Sequence, residues 1–326
     1  MSYEEGWAAR GRHRIYVREY TGEEPAIVLM HGFPDNLHLY DRLAPRLSPP
    51  RRVVTFDFLG WGRSDKPDGY PYTSSNQTGD LDAIIVHLGL DRAVLVAHDA
   101  SGPPAIDWAL DNQERVSALV LLNTYYGWMP SLRPPEAILL FSVPIIRNLA
   151  RFVVVNSDVL DRKLFTWQVG RFISHPGDRQ EVVAELYGQF RPERPAFSSL
   201  NADLLGTTIS RRKRFDEMRS FARPVRIAFG AADPYLNAGV AKRFHRLFPT
   251  SDLFLLPNAR QPPGTWARRG TGFERSRRAT TRRTCSPQPE HPADQWTESS
   301  LRESRPGVPM GSHGSPDSNR VTEAPA

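Results

Sequence analysis

Residues 93–102 read Ala93-Val94-Leu95-Val96-Ala97-His98-Asp99-Ala100-Ser101-Gly102. Five apolar residues of strand length run into a cluster of small ones, and the stretch Ala105 to Leu110 follows with helical spacing. The spacing predicts a buried strand that turns at once into a helix. A turn this tight presents one side chain at its apex, and the residues two before and two after must be small, because larger ones strike the backbone. With Asp99 at the apex those positions hold Ala97 and Ser101, with Gly102 next; with Ser101 there they hold Asp99 and Pro103. The steric rule therefore selects Asp99 as the nucleophile candidate.

Similar apolar runs flank this segment. Ala26 to Met30, Val53 to Phe56, Ala118 to Leu122 and Val225 to Phe229 are near-continuous, as strands buried on both faces of a parallel sheet are. Asp252 to Leu256 reads as one more strand. Arg12 to Tyr20 alternates polar residues with Ile15 and Val17, as an edge hairpin strand does. Between Tyr126 and Ala222 the pattern is helical and rich in aromatics, with Phe152 to Val155 its one strand-like run; prolines punctuate both ends. This reads as a helical insertion over the sheet. From Gln261 on, the last 66 residues hold nine prolines and ten arginines, no lysine, tyrosine or isoleucine, and one leucine. Such text buries too little apolar surface to offset its ordering entropy, so disorder is expected. The expected division is an α/β core over 1–125 and 223–259, a helical cap over 126–222 and a tail over 260–326.

Composition excludes other classes. The chain has 326 residues and a formal charge of +6, and only four of its 42 basic residues are lysines. The run Arg211-Arg212-Lys213-Arg214 belongs to no nucleic-acid module and is expected to be a solvated charged loop. The longest apolar stretch, Ala137 to Ile146, contains Pro144 and is too short to span a bilayer. The acidic start, Met1-Ser2-Tyr3-Glu4-Glu5, carries no apolar signal segment. The single cysteine, Cys285, excludes a disulfide framework and a thiolate metal cluster. The expectation is a cytoplasmic protein acting on a small molecule, with no metal, cofactor, membrane or nucleic-acid partner. No pattern speaks to its oligomeric state.

Four motifs carry a family resemblance: His31-Gly32-Phe33-Pro34 after one strand, Asp57 to Asp65 (Asp-Phe-Leu-Gly-Trp-Gly-Arg-Ser-Asp) after the next, the Asp99 turn, and Gly230-Ala231-Ala232-Asp233-Pro234 after a late strand. In this order, over residues 10–259, the chain resembles α/β-hydrolases with an aspartate nucleophile, the group of epoxide hydrolases and haloalkane dehalogenases. The resemblance implies an α/β-hydrolase fold. It also implies that Asp99 forms an alkyl-enzyme ester, that the backbone N–H groups of Phe33 and Ala100 make the oxyanion hole, and that Asp233 is the acid that orients a histidine. His31 is expected to shape its own loop, Asp57 to brace the glycine-rich one, and His98 to pack beside the turn.

Two departures stand out. The family's histidine should follow the last strand, but Gln261 stands there and the Arg/Pro-rich text begins at once. Downstream only His291 and His313 remain. A shift of reading frame in GC-rich DNA explains the break, and a regulatory tail is the rival reading. Without that base the ester should accumulate, and without a terminal helix apolar sheet residues should lie uncovered. The second departure is Ala100, where haloalkane dehalogenases of this group place a halide-binding Trp and fluoroacetate-type enzymes an Arg. Trp128 or Trp167 could supply one halide donor. For an epoxide the proton should come from a tyrosine, the candidates being Tyr125, Tyr126 and Tyr187. An epoxide-hydrolase-like reaction is the preferred expectation, with a haloalkane dehalogenase and a non-catalytic protein as alternatives.

Overall fold

The computed structural model describes residues 3–173, 177, 179–257 and 259. Eight strands form one sheet: β1 (Glu4–Arg10), β2 (His13–Tyr20), β3 (Ala26–Met30), β4 (Val53–Phe56), β5 (Ala93–Asp99), β6 (Val116–Thr124), β7 (Val225–Gly230) and β8 (Ser251–Leu256). Their order is β1-β2-β4-β3-β5-β6-β7-β8. The β1–β2 and β2–β4 pairs are antiparallel and all others parallel. The alternating stretch is thus β2, which pairs on both sides. The edge on that side is β1, whose burial of Ala8 alone leaves no apolar pattern to read in its sequence.

The helices are α1 (Ala44–Leu47), α2 (Ser74–His87), α3 (Gly102–Asp111), α4 (Glu136–Ser142), α5 (Pro144–Asn156), α6 (Asp158–Val169), α7 (Arg179–Phe190), α8 (Arg194–Ser210), α9 (Phe215–Arg219) and α10 (Ala238–Leu247). Alternate strand residues face opposite layers. On one face Val28, Met30, Leu95, Ala97, Leu119 and Ile227 join a core with side chains of α2, α3 and α10. On the other, Ile27, Leu29, Val94 and Val96 pack against Leu39, Tyr40 and Ala44, while Ala118, Val120 and Leu122 stay half-buried. Phe254 and Leu256 are half-buried too. Full burial of such a side chain is worth about 1.5–3 kcal/mol, so this face retains unused apolar surface.

Helices α4 to α9 lie in the chain between β6 and β7. Phe141, Phe165, Leu186, Phe190 and Phe197 form a second apolar cluster, against which Phe33 packs. Phe152 to Val155 is helical, inside α5, where Pro144 sits in the first turn and no strand offers a ladder. No single helix among the described residues is long and apolar enough to cross a membrane. The region from Gln261 on, with the readings of disorder and of the missing histidine, lies outside the described residues.

Candidate active site

The sheet order reverses between β3 and β5: from β3 the chain moves to β4 on one side, and β5 lies on the other. Loops leaving the carboxyl ends of two such strands diverge and open a crevice between them. Phe33 follows β3 and Asp99 ends β5, so both stand at this point.

Asp99 has φ +50°, a left-handed conformation that an L-residue adopts at a cost and that aims its side chain out of the turn. The turn requires its small neighbours. A Cβ on Gly32 would stand 2.4 Å from the Asp99 Cβ, and one on Gly102 would stand 1.9 Å from the Thr124 Oγ1. Ser101 is fully buried and turned away: its Oγ accepts from the His98 N–H at 2.8 Å and donates toward the Met30 carbonyl at 3.0 Å.

The Phe33 N–H donates to Asp99 Oδ2 at 2.8 Å, and the Ala100 N–H also bonds this carboxylate. Burial pushes the Asp99 carboxyl up to about 6, against the pull of those two N–H groups. At neutral pH it is therefore mainly ionised, with Oδ2 held by the Phe33 N–H and the residue lining the cavity.

Asp233 is buried. Its Oδ1 accepts from the N–H groups of Tyr235 and Leu236 at 2.8 and 3.0 Å, and its Oδ2 from Asn123 Nδ2 at 2.9 Å. Burial pushes it up to about 6, and the charge of Asp99 adds to the rise. Asn123, at φ +27° near the end of β6, also accepts from the Gly230 N–H at 2.7 Å and donates to the Leu236 carbonyl at 3.1 Å. It thereby ties β6, β7 and the Asp233 loop together. Sequence reasoning passed over Asn123; a polar residue closing an otherwise apolar strand was the available signal.

Asp99 and Ala100 line a cavity of about 130 Å³, walled chiefly by apolar side chains. Tyr125 and Trp128 line it as well. The other three pocket candidates stand elsewhere. Tyr126 is buried and donates to Asp107 Oδ1 at 2.6 Å. Tyr187 belongs to the second apolar cluster and donates to Asp161 Oδ2 at 2.8 Å. Trp167 is half-exposed, beneath the guanidinium of Arg171. Trp61, Arg133 and Tyr235 line the cavity without having been singled out as pocket residues. Trp61 sits within the glycine-rich motif and Tyr235 two residues past Asp233, so proximity to the motifs was the signal.

Tyr125 and Tyr235 differ chemically. The Tyr235 hydroxyl donates to Glu136 Oε2 at 2.8 Å and accepts from Gln168 Nε2 at 3.1 Å. The Tyr125 hydroxyl has no hydrogen-bond partner among the described residues, and burial together with the nearby Asp99 charge keeps it protonated.

No described histidine lines the cavity. His31 is buried and held neutral, its Nε2 accepting from the Phe58 N–H at 3.3 Å and its Nδ1 lying 3.0 Å from the Gly32 carbonyl. The Nδ1 of His245 is 2.9 Å from Ser251 Oγ, where β8 begins, whereas Asp99 ends β5. In a parallel sheet these are opposite ends of the strands. Asp57 accepts from the N–H groups of Leu37 and Arg63, both at 2.8 Å, and so joins its loop to the one after β3.

The basic run is not a solvated loop throughout. Arg211 is buried and pairs with Asp107 at 2.6 Å; Arg214 pairs with Asp107, Asp111 and Glu217. Arg212 and Lys213 face solvent. The acids lie on α3 and α9, distant in sequence or spaced by helical periodicity, so packing and not local text decides which arginines are paired.

Comparison with known proteins gives a match over residues 25–261 to the family described as alpha/beta hydrolase fold. A fluoroacetate dehalogenase of Burkholderia sp is 39% identical over 106 residues, 31% of this chain and 35% of that protein. Haloalkane dehalogenase 2 of Mycobacterium tuberculosis is 36% identical over 125 residues, 38% of this chain and 43% of that protein. The matched stretch thus spans under half the length of these curated relatives. Among solved structures, the epoxide hydrolase CorEH superposes with a TM-score of 0.65 at 20% identity, over 79% of this chain and 92% of that one.

Proposed function

We propose, for a chain that belongs to the alpha/beta hydrolase fold family, that it is a hydrolase whose Asp99 carboxylate opens a small epoxide through an alkyl-enzyme ester. The observation that carries this reading is the Asp99 carboxylate: it lines an apolar cavity, one oxygen accepts the Phe33 N–H at 2.8 Å, and an unengaged phenol, Tyr125, shares the cavity. The free oxygen of Asp99 attacks a ring carbon, the carbon–oxygen bond breaks, and Tyr125 gives its proton to the departing oxygen. The product is a hydroxyalkyl ester. When water adds to the ester carbonyl, negative charge develops on the oxygen already held by Phe33 and Ala100, where each such donor is worth about 2.7–4 kcal/mol. Asp233 would orient a histidine base. The resemblance expects that base where Gln261 stands, and on this reading the second step is slow and the ester persists. The helices between β6 and β7 act as a cap that closes the cavity over Asp99.

A haloalkane is the second reading. It is favoured by the Trp128 indole, which lines the same cavity and has no hydrogen-bond partner among the described residues. A relative named haloalkane dehalogenase points the same way. Tyr125→Phe separates the two. For an epoxide reaction it lowers the ratio of ester formation from an epoxide to that from a bromoalkane by about 10²-fold, the lower range for a general acid. An unchanged ratio favours the haloalkane.

The carboxyl of Asp99, raised to about 6, sets the pH dependence. Only the ionised form attacks. Ester formation from a bromoalkane is therefore level above neutral pH, half-maximal near 6 and about tenfold lower for each further unit of acid. Stopped reactions read by intact mass measure this profile. A rate still level at pH about 4, the ordinary aspartate range, would contradict a buried nucleophile.

A further inference from the structure

We propose that Arg133 is a specificity-determining residue that binds an anionic group, of the carboxylate class, at the end of the substrate remote from the electrophilic carbon. This rests on Asp99 being the nucleophile of the same cavity. Among the described residues that line that cavity, only Asp99 and Arg133 carry an ionic side chain. They are opposite in sign, and the wall they share includes Ile138, Leu200 and Leu204.

Arg133 is exposed, yet its guanidinium makes no hydrogen bond or ion pair among the described residues. The acid nearest in sequence is already engaged: Glu136 accepts from the Tyr235 hydroxyl at 2.8 Å and pairs with Arg171 at 3.6 Å. The backbone around Arg133 is constrained. Its N–H donates to the Tyr235 carbonyl at 3.4 Å, the Leu132 N–H donates to the Met129 carbonyl at 3.0 Å, and Pro134 and Pro135 follow. A planar guanidinium on such a segment matches a carboxylate in two parallel hydrogen bonds. Asp99 repels an anion placed on the reacting carbon itself, so the charge must sit apart from it, across the apolar wall.

The test pairs chemistry with binding. Terminal epoxides of butanoate, hexanoate and octanoate (the 3,4-, 5,6- and 7,8-epoxy acids) are compared with their methyl esters for the rate of ester formation on the full chain. In parallel, unreactive hexanoate is titrated calorimetrically into Asp99→Asn protein. For at least one chain length the acid reacts about tenfold faster than its ester, the preference shrinks as salt rises, Arg133→Gln brings the ratio to about one, and Arg133→Lys keeps part of it. Hexanoate binds Asp99→Asn and loses about tenfold in affinity when Arg133→Gln is added. Equal rates for acid and ester, or hexanoate affinity indifferent to Arg133, would overturn the assignment. If neither compound reacts while hexanoate still binds through Arg133, the nucleophile reading fails and the anion site stands.

Discussion

Asp99→Asn is expected to leave a folded protein that forms no covalent adduct, with ester formation reduced by at least about 10⁴-fold. Losses of that size or larger follow removal of a nucleophile in enzymes where the step has been dissected. The amide fills the same volume, and its carbonyl oxygen can still accept the Phe33 N–H that now reaches Asp99 at 2.8 Å. Stability changes in a direction that can be worked out. Burial raises the folded-state carboxyl to about 6, so it favours the fold at pH values below the ordinary aspartate range. That contribution is lost as pH rises through 6. At pH 7 the wild-type protein carries the cost of a buried charge that asparagine lacks, and the variant melts at or above the wild-type temperature. A variant that melts as wild type and still takes up label would show that another group attacks.

The second large effect concerns how the inserted helices are held to the sheet. Asp107, on α3 just past the Asp99 turn, accepts from Arg211 Nε and Nη2 at 2.9 and 2.6 Å, from Arg214 at 3.1 Å and from the Tyr126 hydroxyl at 2.6 Å. Arg211 is buried, and besides Asp107 its guanidinium donates to Ser74 Oγ at 2.8 Å. Asp107→Ala strands this cation. Breaking a buried pair from one side costs about 3–5 kcal/mol, a large part of a typical total of about 5–15 kcal/mol. Urea unfolding of Asp107→Ala should show that loss. Replacing both partners, as Asp107→Leu with Arg211→Met, should recover most of it, because the expense lies in the unpaired charge. A loss below about 1 kcal/mol for Asp107→Ala would mean that solvent screens the cluster as it does a surface pair.

How much of this was legible beforehand follows from burial. Strands β3, β4, β5 and β7 are covered on both faces over most of their length, so their sequences are near-continuous apolar runs that announce themselves; β6 carries such a run although one of its faces is only half-covered. Strand β1 buries only Ala8 and left no such trace. Phe152 to Val155 imitated a strand because Phe and three successive valines carry strand propensity, which the helical packing of α5 overrides. The Asp99 turn could be read because its geometry excludes all but small neighbours, a constraint local in sequence. The cavity wall could not be read in the same way. Tyr125, Tyr126 and Tyr187 are equivalent as text; packing gives the first to the cavity and the other two to Asp107 and Asp161. Arg133 and Tyr235 reach the cavity from segments about a hundred residues apart, joined by the Arg133 N–H to the Tyr235 carbonyl. The arginine run was misjudged for the same reason, its decisive partner lying 104 residues away.

The most direct measurement is the intact mass of the purified chain after incubation with an epoxide and removal of the excess, followed by peptide mapping. The proposed reaction predicts one retained substrate mass per chain, on Asp99, released only slowly because Gln261 stands where the resemblance expects the histidine that activates water. Sustained turnover with no retained mass, or a label mapped to any other residue, would contradict it.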